Sequence, residues 1–312
     1  MKRKILFFFL CVNICNAQEI PPKRAHHALV YDEKQNTILM TGGSTPIDGG
    51  KSYLVFNDLW KFDGNKWVKT GNAGDERSGM GLAFDEKQKQ IASFGGFANN
   101  KPLEELRLLV NNEWKTITAL PEMKLTEPGF VYNTNNGKYY VFGGSGIGGV
   151  KGTFWEYDGK SWKIVEGTNP PARQAFAMVY DKKRNRIVLF GGMGETPEAK
   201  YGDTWEYDFN RWVKVAENGP EARVAFGYVY DSKKGQLLIF GGLGKGVLGD
   251  TWEWDGKAWQ KLSDSGPKPR MMGYMAYDKK RNKTVLFGGR LGWPNDANDT
   301  WEWNGKEWQQ IK

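Results

Sequence analysis

The sequence contains few cysteines and histidines, two residue types that often bind metals and act as nucleophiles or bases. Only two of its 312 residues are cysteine and two are histidine, and both cysteines, Cys11 and Cys15, lie near the start of the chain. His26 and His27 are adjacent, and adjacent residues of a strand point to opposite faces, so they cannot chelate a metal together from one strand. We therefore predict no metal site and no bound cofactor, and we assign no catalytic residue.

Long apolar runs are also missing. The run at residues 5–12 is too short to cross a bilayer as a helix. It follows three basic residues and precedes Asn16 and Ala17, which is the order found in secretory signal peptides. We predict that residues 1–17 are a cleaved signal. The mature chain, residues 18–312, is then a single domain that is periplasmic or secreted, without a transmembrane segment.

Cleavage of this signal would leave a mature chain without a thiol. A disulfide and a cysteine nucleophile are then excluded. The formal net charge would fall from +8 to +5, because residues 1–17 hold three cations and no anions. A balance that is only mildly basic gives no reason to expect a nucleic-acid partner.

Glycine and tryptophan, by contrast, are abundant, at 40 and 14 residues. Gly-Gly doublets recur at intervals of 47 to 53 residues, and each closes an apolar run typical of a buried strand. The doublets begin at Gly42, Gly95, Gly143, Gly191, Gly241 and Gly288. This spacing indicates a tandem array of one structural unit.

Two further markers keep the same period. Residues seven positions apart, such as Trp252 and Trp259, flank a polar turn. In five copies another apolar segment begins after an arginine and ends at an aspartate eight residues later. The arginines are Arg24, Arg77, Arg173, Arg223 and Arg270. Each copy is therefore predicted to form four antiparallel strands, A to D in chain order, with the doublet at the end of strand B.

The second and third copies depart most from this pattern. The second has Arg107 where the other copies have tryptophan, and the third has Leu125 and Asn133 in place of the arginine and the aspartate. We expect these two copies to be the least regular.

An apolar run, a Gly-Gly doublet and two spaced aromatic residues, at a period near 50, resemble the kelch repeat. The resemblance covers residues 24–312 and implies an all-β, six-bladed β-propeller of four-stranded blades. The alternative, a β-sandwich, would not keep three markers in register over six copies. The predicted blades are approximately residues 24–75, 76–123, 124–171, 172–221, 222–269 and 270–312.

The B-to-C loops vary most and share one face, the BC face, with the D-to-A loops. Trp293 is the one tryptophan outside the repeat pattern, and it lies near Arg290 in the last B-to-C loop. An exposed aromatic residue beside an arginine suits stacking on a sugar ring or capture of an anionic group. The alternative is that Trp293 covers a patch under its own loop. Tyr53 and Tyr201, each near a lysine, are candidates of the same kind.

The five repeat arginines are predicted to surround the channel mouth on the BC face. There they would bind a carboxylate or sulfate, or form structural pairs with the adjoining blade, which their recurrence favours. The opposite face carries basic hairpins that would attract anionic polysaccharide or a membrane surface. Solvated hairpin tips are the favoured interpretation. These hairpins are residues 182–184, 233–234 and 279–281.

Because some kelch propellers are enzymes, the resemblance also requires two enzyme classes to be considered. Copper-radical sugar oxidases need a tyrosine cross-linked to a cysteine, which the mature chain lacks. Sialic-acid mutarotases need a carboxylate with a cationic group, and Glu127 or Glu195 with a nearby arginine would supply them. Our leading hypothesis is a monomeric, non-enzymatic module that binds a glycan or protein partner on the BC face. A mutarotase or epimerase is the alternative, and a structural subunit is a third.

Overall fold

The computed structural model describes residues 20–120 and 123–311. The predicted signal, residues 1–17, lies outside the described residues. Apart from one short 3-10 turn at Asp48–Gly50, the regular structure in the described part is β-strand. None of its helical segments is long and apolar enough to span a membrane.

Residues 20–120 and 123–311 contain six four-stranded antiparallel sheets, and each sheet is one contiguous segment in the strand order A-B-C-D. The A strands are Ala28–Asp32, Gly81–Asp85, Gly129–Asn133, Ala177–Asp181, Gly227–Asp231 and Tyr274–Asp278. The B strands are Thr37–Thr41, Gln90–Phe94, Lys138–Phe142, Arg186–Phe190, Gln236–Leu243 and Lys283–Phe287. The C strands are Asp58–Phe62, Glu105–Val110, Phe154–Tyr157, Thr204–Tyr207, Val247–Trp254 and Thr300–Trp303. The D strands are Trp67–Asn72, Glu113–Ala119, Trp162–Ile164, Trp212–Ala216, Trp259–Ser263 and Trp308–Ile311.

The sheets form a closed ring. Strand A of each sheet contacts strand A of the next, and strand A of the sixth sheet contacts strand A of the first. A radial arrangement lets each sheet cover the faces of its neighbours, as in a β-propeller. The prediction of an all-β fold built from four-stranded sheets is confirmed.

Short hairpins extend four of the B-to-C loops on the BC face. They pair Ser44–Ile47 with Ser52–Val55, Phe97–Ala98 with Lys101–Pro102, Ser145–Gly146 with Gly149–Val150, and Arg290–Gly292 with Asn295–Asp296. In the fifth sheet, strands B and C themselves run on to form the hairpin. Five of the six B-to-C loops on this face therefore contain a hairpin.

The Gly-Gly doublets recur because the backbone at the end of strand B requires glycine. In the fourth sheet Gly191 and Gly192 have φ of 71° and 97°, a region that other residues rarely adopt. A Cβ on Gly192 would also lie 2.7 Å from the Cβ of Phe176. Each doublet therefore combines a special conformation with close packing.

The first tryptophan of each D strand packs against the preceding sheet. The Trp259 ring lies 4.5 Å from the Phe190 ring, centroid to centroid, and its indole N–H donates to Thr204 Oγ1 at 2.8 Å. Trp308 and Trp67 make the same bond, to Thr251 and Thr300 respectively, each at 2.9 Å. In these three junctions, the threonine that follows the paired aspartate accepts the indole N–H of the next sheet.

Candidate functional site

The five repeat arginines are buried, and each is at most 4% exposed. In four sheets the guanidinium binds both carboxylate oxygens of one aspartate. This aspartate lies in strand C or immediately before it. The shortest nitrogen–oxygen distance in these pairs is 2.5 to 2.7 Å. The pairs are Arg24–Asp58, Arg173–Asp203, Arg223–Asp250 and Arg270–Asp299. Each arginine also donates to the carbonyl of the first doublet glycine, at 2.9 or 3.0 Å.

The second and third sheets show what happens when this pattern changes. Arg77 pairs with Asp75 at 2.6 Å and Glu105 at 3.2 Å, and Arg107 joins the same Asp75 carboxylate at 2.6 Å. In the third sheet the buried Leu125 replaces the arginine, and Thr153 replaces its acidic partner. The two charges are therefore lost together, which leaves no buried charge unpaired there.

These partners place the arginines within their own sheets. The sequence had suggested partners in the adjoining blade and a position around the channel mouth. None of the five arginines lines the central cavity between the A strands. Their geometry is that of structural ion pairs that hold the end of strand B to strand C.

The arginines also determine the ionisation of the paired aspartates. Burial by itself would raise the pKa of Asp250, but the Arg223 guanidinium and the Trp252 indole N–H lower it below its ordinary value. The same balance, with burial opposed by the paired arginine and an indole, lowers the pKa of the other three. These are Asp58, Asp203 and Asp299.

We expect the free energy of unfolding to fall steeply as the pH drops below about 4, the ordinary aspartate pKa. A carboxylate with a lowered native pKa contributes its full stabilisation above the unfolded pKa and loses it as the pH falls through the native value. Urea denaturation at a series of pH values measures this slope. The double variant Arg223→Met/Asp250→Leu should lose stability less steeply. Equal slopes in the two proteins would show that the pairs do not govern acid stability.

An exposed aromatic patch lies on the BC face, where the hairpins of the first and sixth sheets meet. Its two members, Tyr53 and Trp293, are 49% and 54% exposed, and their ring centroids lie 5.8 Å apart at an interplanar angle of 61°. We call this pair the aromatic patch. The sequence indicated both residues, but they stand far apart in the chain, and the closed ring brings them together.

The aromatic patch is held from beneath. The Arg290 guanidinium carbon lies 5.0 Å from the centroid of the Trp293 ring, and Arg290 is itself buried and bonded to Asp296 at 2.8 Å. On the facing hairpin, a Cβ at Gly50 would lie 2.8 Å from the Trp293 indole. Arg290 therefore supports the tryptophan, and its charge is already paired.

A second cluster, which the sequence did not reveal as a pair, lies at the BC end of the central cavity. His26 and Glu127 occupy the same position in the first and third sheets, two residues after the arginine or its replacement. His26 Nδ1 lies 2.9 Å from Glu127 Oε1. Between them the second sheet has Gly79, where an added Cβ would lie 2.6 Å from Thr126 Oγ1.

Comparison with protein-family models agrees with this architecture. Residues 47–215 and 159–312 match the model described as KLHDC2/KLHL20/DRC7 Kelch-repeats domain. The chain belongs to the kelch-repeat family. The match to a kelch-repeat domain points to a protein-interaction module. A search of curated proteins found no match.

Tyr201, the third aromatic candidate, has a different place in this kelch ring. The Arg173 guanidinium carbon lies 4.2 Å from the Tyr201 ring centroid, and the tyrosine is half-buried. Phe56 covers Arg24 in the same way, at 4.0 Å. Tyr201 therefore shields a buried ion pair, apart from the aromatic patch.

Glu127 and Glu195, the two carboxylates considered as catalytic acids, each contact another group of the protein. Glu195 Oε1 accepts the backbone N–H of Val150 at 2.9 Å, which ties the fourth B-to-C loop to the third. Glu127 contacts His26, and the repeat arginines are bonded elsewhere. The carboxylate–arginine pair that a kelch mutarotase would need is thus not assembled by these residues. In the part of the chain that the structure describes, no three His, Cys, Asp or Glu side chains are grouped to hold a metal ion.

Proposed function

We propose that this kelch protein is an exported interaction module that binds a protein or glycan partner through the aromatic patch. Export is supported by the signal-like residues 1–17, and interaction by the kelch family itself. The observation that carries the choice of surface is the exposed pair Tyr53 and Trp293 on two braced hairpins.

The composition and rigidity of the aromatic patch favour recognition. Tryptophan, tyrosine and arginine are the residues most often found at the energetic centre of interfaces. Arg290 and Gly50 hold the Trp293 ring in place, so little side-chain freedom is lost when a partner binds. A sugar ring would stack on the indole, and a protein side chain would pack against it.

The surroundings of the aromatic patch favour a protein over a single sugar. Four more large apolar side chains are exposed in the B-to-C loops of the first three sheets, on the same face as the aromatic patch. They are Ile47, Leu54, Phe97 and Ile147. An apolar surface spread over neighbouring loops suits a partner that covers several of them.

Replacing Trp293 by alanine should weaken partner binding by about 30-fold or more, because it removes the most exposed ring of the aromatic patch. Stability should fall by about 1 kcal/mol or less, since about half of the side chain is in solvent. The partner is found with a photo-crosslinking amino acid at Lys51 in exported-protein extracts, and with a glycan array that includes acidic sugars. The same crosslinker at Lys160, on the opposite face, is the control for non-specific capture.

Ile164→Ala, an exposed change on an outer strand, is the matched control variant. It should bind as the parent does. Capture or array signals that survive Trp293→Ala unchanged would refute the aromatic patch as the binding surface. Signals lost equally in Ile164→Ala would show that the effect is not local.

A further inference from the structure

The central cavity between the A strands is separate from the aromatic patch and has its own chemistry. Its volume is about 280 Å³, near the lower end of small-molecule pockets. Most of its wall is apolar, with methionines such as Met80 and Met272 from different sheets. Seven tyrosines and three glutamates also line it, among them Tyr228, Tyr274 and Glu127.

Four of the five charged residues that line the cavity neutralise one another. They lie one residue beyond the end of strand A, at the end away from the BC face. Lys182 bonds to Glu86 at 2.7 Å, and Lys279 bonds to Glu33 and lies 3.8 Å from Glu86. Two lysines and two glutamates therefore bridge this end of the cavity with no net charge.

The fifth charge, Glu127, lies at the opposite end. Residues two positions after the arginine have a left-handed backbone in every sheet, and several are joined by N–H···O=C bonds around the axis. Glu127 N–H donates to the Gly79 carbonyl at 2.8 Å, and Gly79 N–H donates to the His26 carbonyl at 2.9 Å. This backbone ring places Glu127 at the mouth, where it is one of the residues that line the cavity.

The two tyrosines lie within electrostatic reach of that carboxylate. Burial raises the pKa of Tyr274 well above its usual value, and the negative charge of Glu127 raises it further. Burial also raises the pKa of Tyr228, to about 12, with a smaller contribution from Glu127. Both tyrosines therefore stay neutral, and they line the same cavity as Glu127.

We propose that the central cavity binds a small organic ammonium ion, held by the Glu127 carboxylate and the rings of Tyr228 and Tyr274. A cation is attracted to the faces of aromatic rings, and more strongly where water is excluded. The lysines at the far end do not pair with Glu127, whose partner among the described side chains is the His26 imidazole, so an ammonium ion adds a cation beside this carboxylate. The apolar methionines contact the alkyl groups. An anion or a large sugar would meet the carboxylate or exceed the volume.

The test compares tetramethylammonium with neopentyl alcohol, which has nearly the same shape without the charge. Isothermal titration should show saturable binding of the cation and much weaker binding of the alcohol. Glu127→Gln keeps an acceptor for His26 and should reduce cation affinity about tenfold or more. Tyr274→Leu should also reduce it. Glu195→Gln, a matched change on the BC face outside the cavity wall, should leave it unaltered.

Trp293→Ala distinguishes the cavity from the aromatic patch, which also offers exposed rings to a cation. Affinity that is lost in Trp293→Ala and kept in Glu127→Gln would place the cation on the aromatic patch and overturn the proposal. Equal affinity for the two probes, or no saturable binding of the cation, would overturn it as well. None of these outcomes bears on the partner of the aromatic patch.

Discussion

Replacing Arg223 by alanine should destabilise the protein by about 3–5 kcal/mol, the usual cost of removing one partner of a buried ion pair. The guanidinium is about 1% exposed and donates to both oxygens of Asp250 at 2.7 and 3.0 Å, and to two backbone carbonyls. Alanine leaves the Asp250 carboxylate half-buried without its cation. It also leaves the Gly241 carbonyl, at the end of strand B, without this donor. Urea denaturation at neutral pH measures the loss.

Two further variants separate the ion pair from the general cost of a substitution. Arg211→Ala, at an exposed turn of the previous sheet, should change stability by less than about 0.5 kcal/mol. Arg223→Met/Asp250→Leu removes both charges and should recover much of the loss, as the third sheet does with Leu125 and Thr153. If the single and double variants are equally unstable, the cost is one of packing and not of an unpaired charge.

Replacing Trp67 by alanine should cost about 3–5 kcal/mol, since it empties a large buried site at the junction of the first and last sheets. The Trp67 ring lies 5.1 Å from the Phe62 ring and 5.2 Å from that of Phe287 in the sixth sheet. Its indole N–H donates to Thr300 Oγ1 at 2.9 Å, between residues 233 positions apart. Thermal unfolding should begin at a lower temperature and remain a single transition, because the ring depends on this junction.

The chain offers a matched comparison for the hydrogen bond. Trp212 packs against the third sheet in the same way, but Phe154 stands where Thr300 stands in the sixth sheet. The Trp212 indole N–H has no partner among the residues that the structure describes. Trp67→Phe should therefore cost more than Trp212→Phe, by about 1 kcal/mol. Thr300→Val should weaken the junction while keeping its shape. Equal costs for the two Trp→Phe variants would show that the bond adds no stability.

Much of the architecture could be read from local patterns. Apolar runs ending in Gly-Gly predict buried strands, and the structure has them; the left-handed backbone at Gly191 and Gly192 explains why glycine recurs there. Aromatic residues seven positions apart predict the C and D strands with their turn. These features depend on neighbours in the chain, so the sequence alone reveals them. The departures at Arg107 and Leu125 also coincide with the sheets where the arginine–aspartate pair is altered.

The roles of the repeat arginines could not be read in the same way. Arginine and aspartate recur in register, but their pairing joins residues 27 to 34 positions apart within one sheet. The loss of both charges in the third copy was a signal that would have indicated the pair. The B-to-C loops that separate them differ in length, so only the folded sheet shows that the two groups meet.

What the sequence by itself determined is the repeated unit: four strands, a glycine doublet and an arginine at a constant position, because these follow from backbone conformation and strand periodicity. What only the tertiary structure decided is which distant side chains meet when the ring closes. Tyr53 joins Trp293 across the first and sixth sheets, and His26 joins Glu127 across Gly79. The physical reason is that both contacts depend on the radial packing of sheets, which no local pattern in the chain encodes.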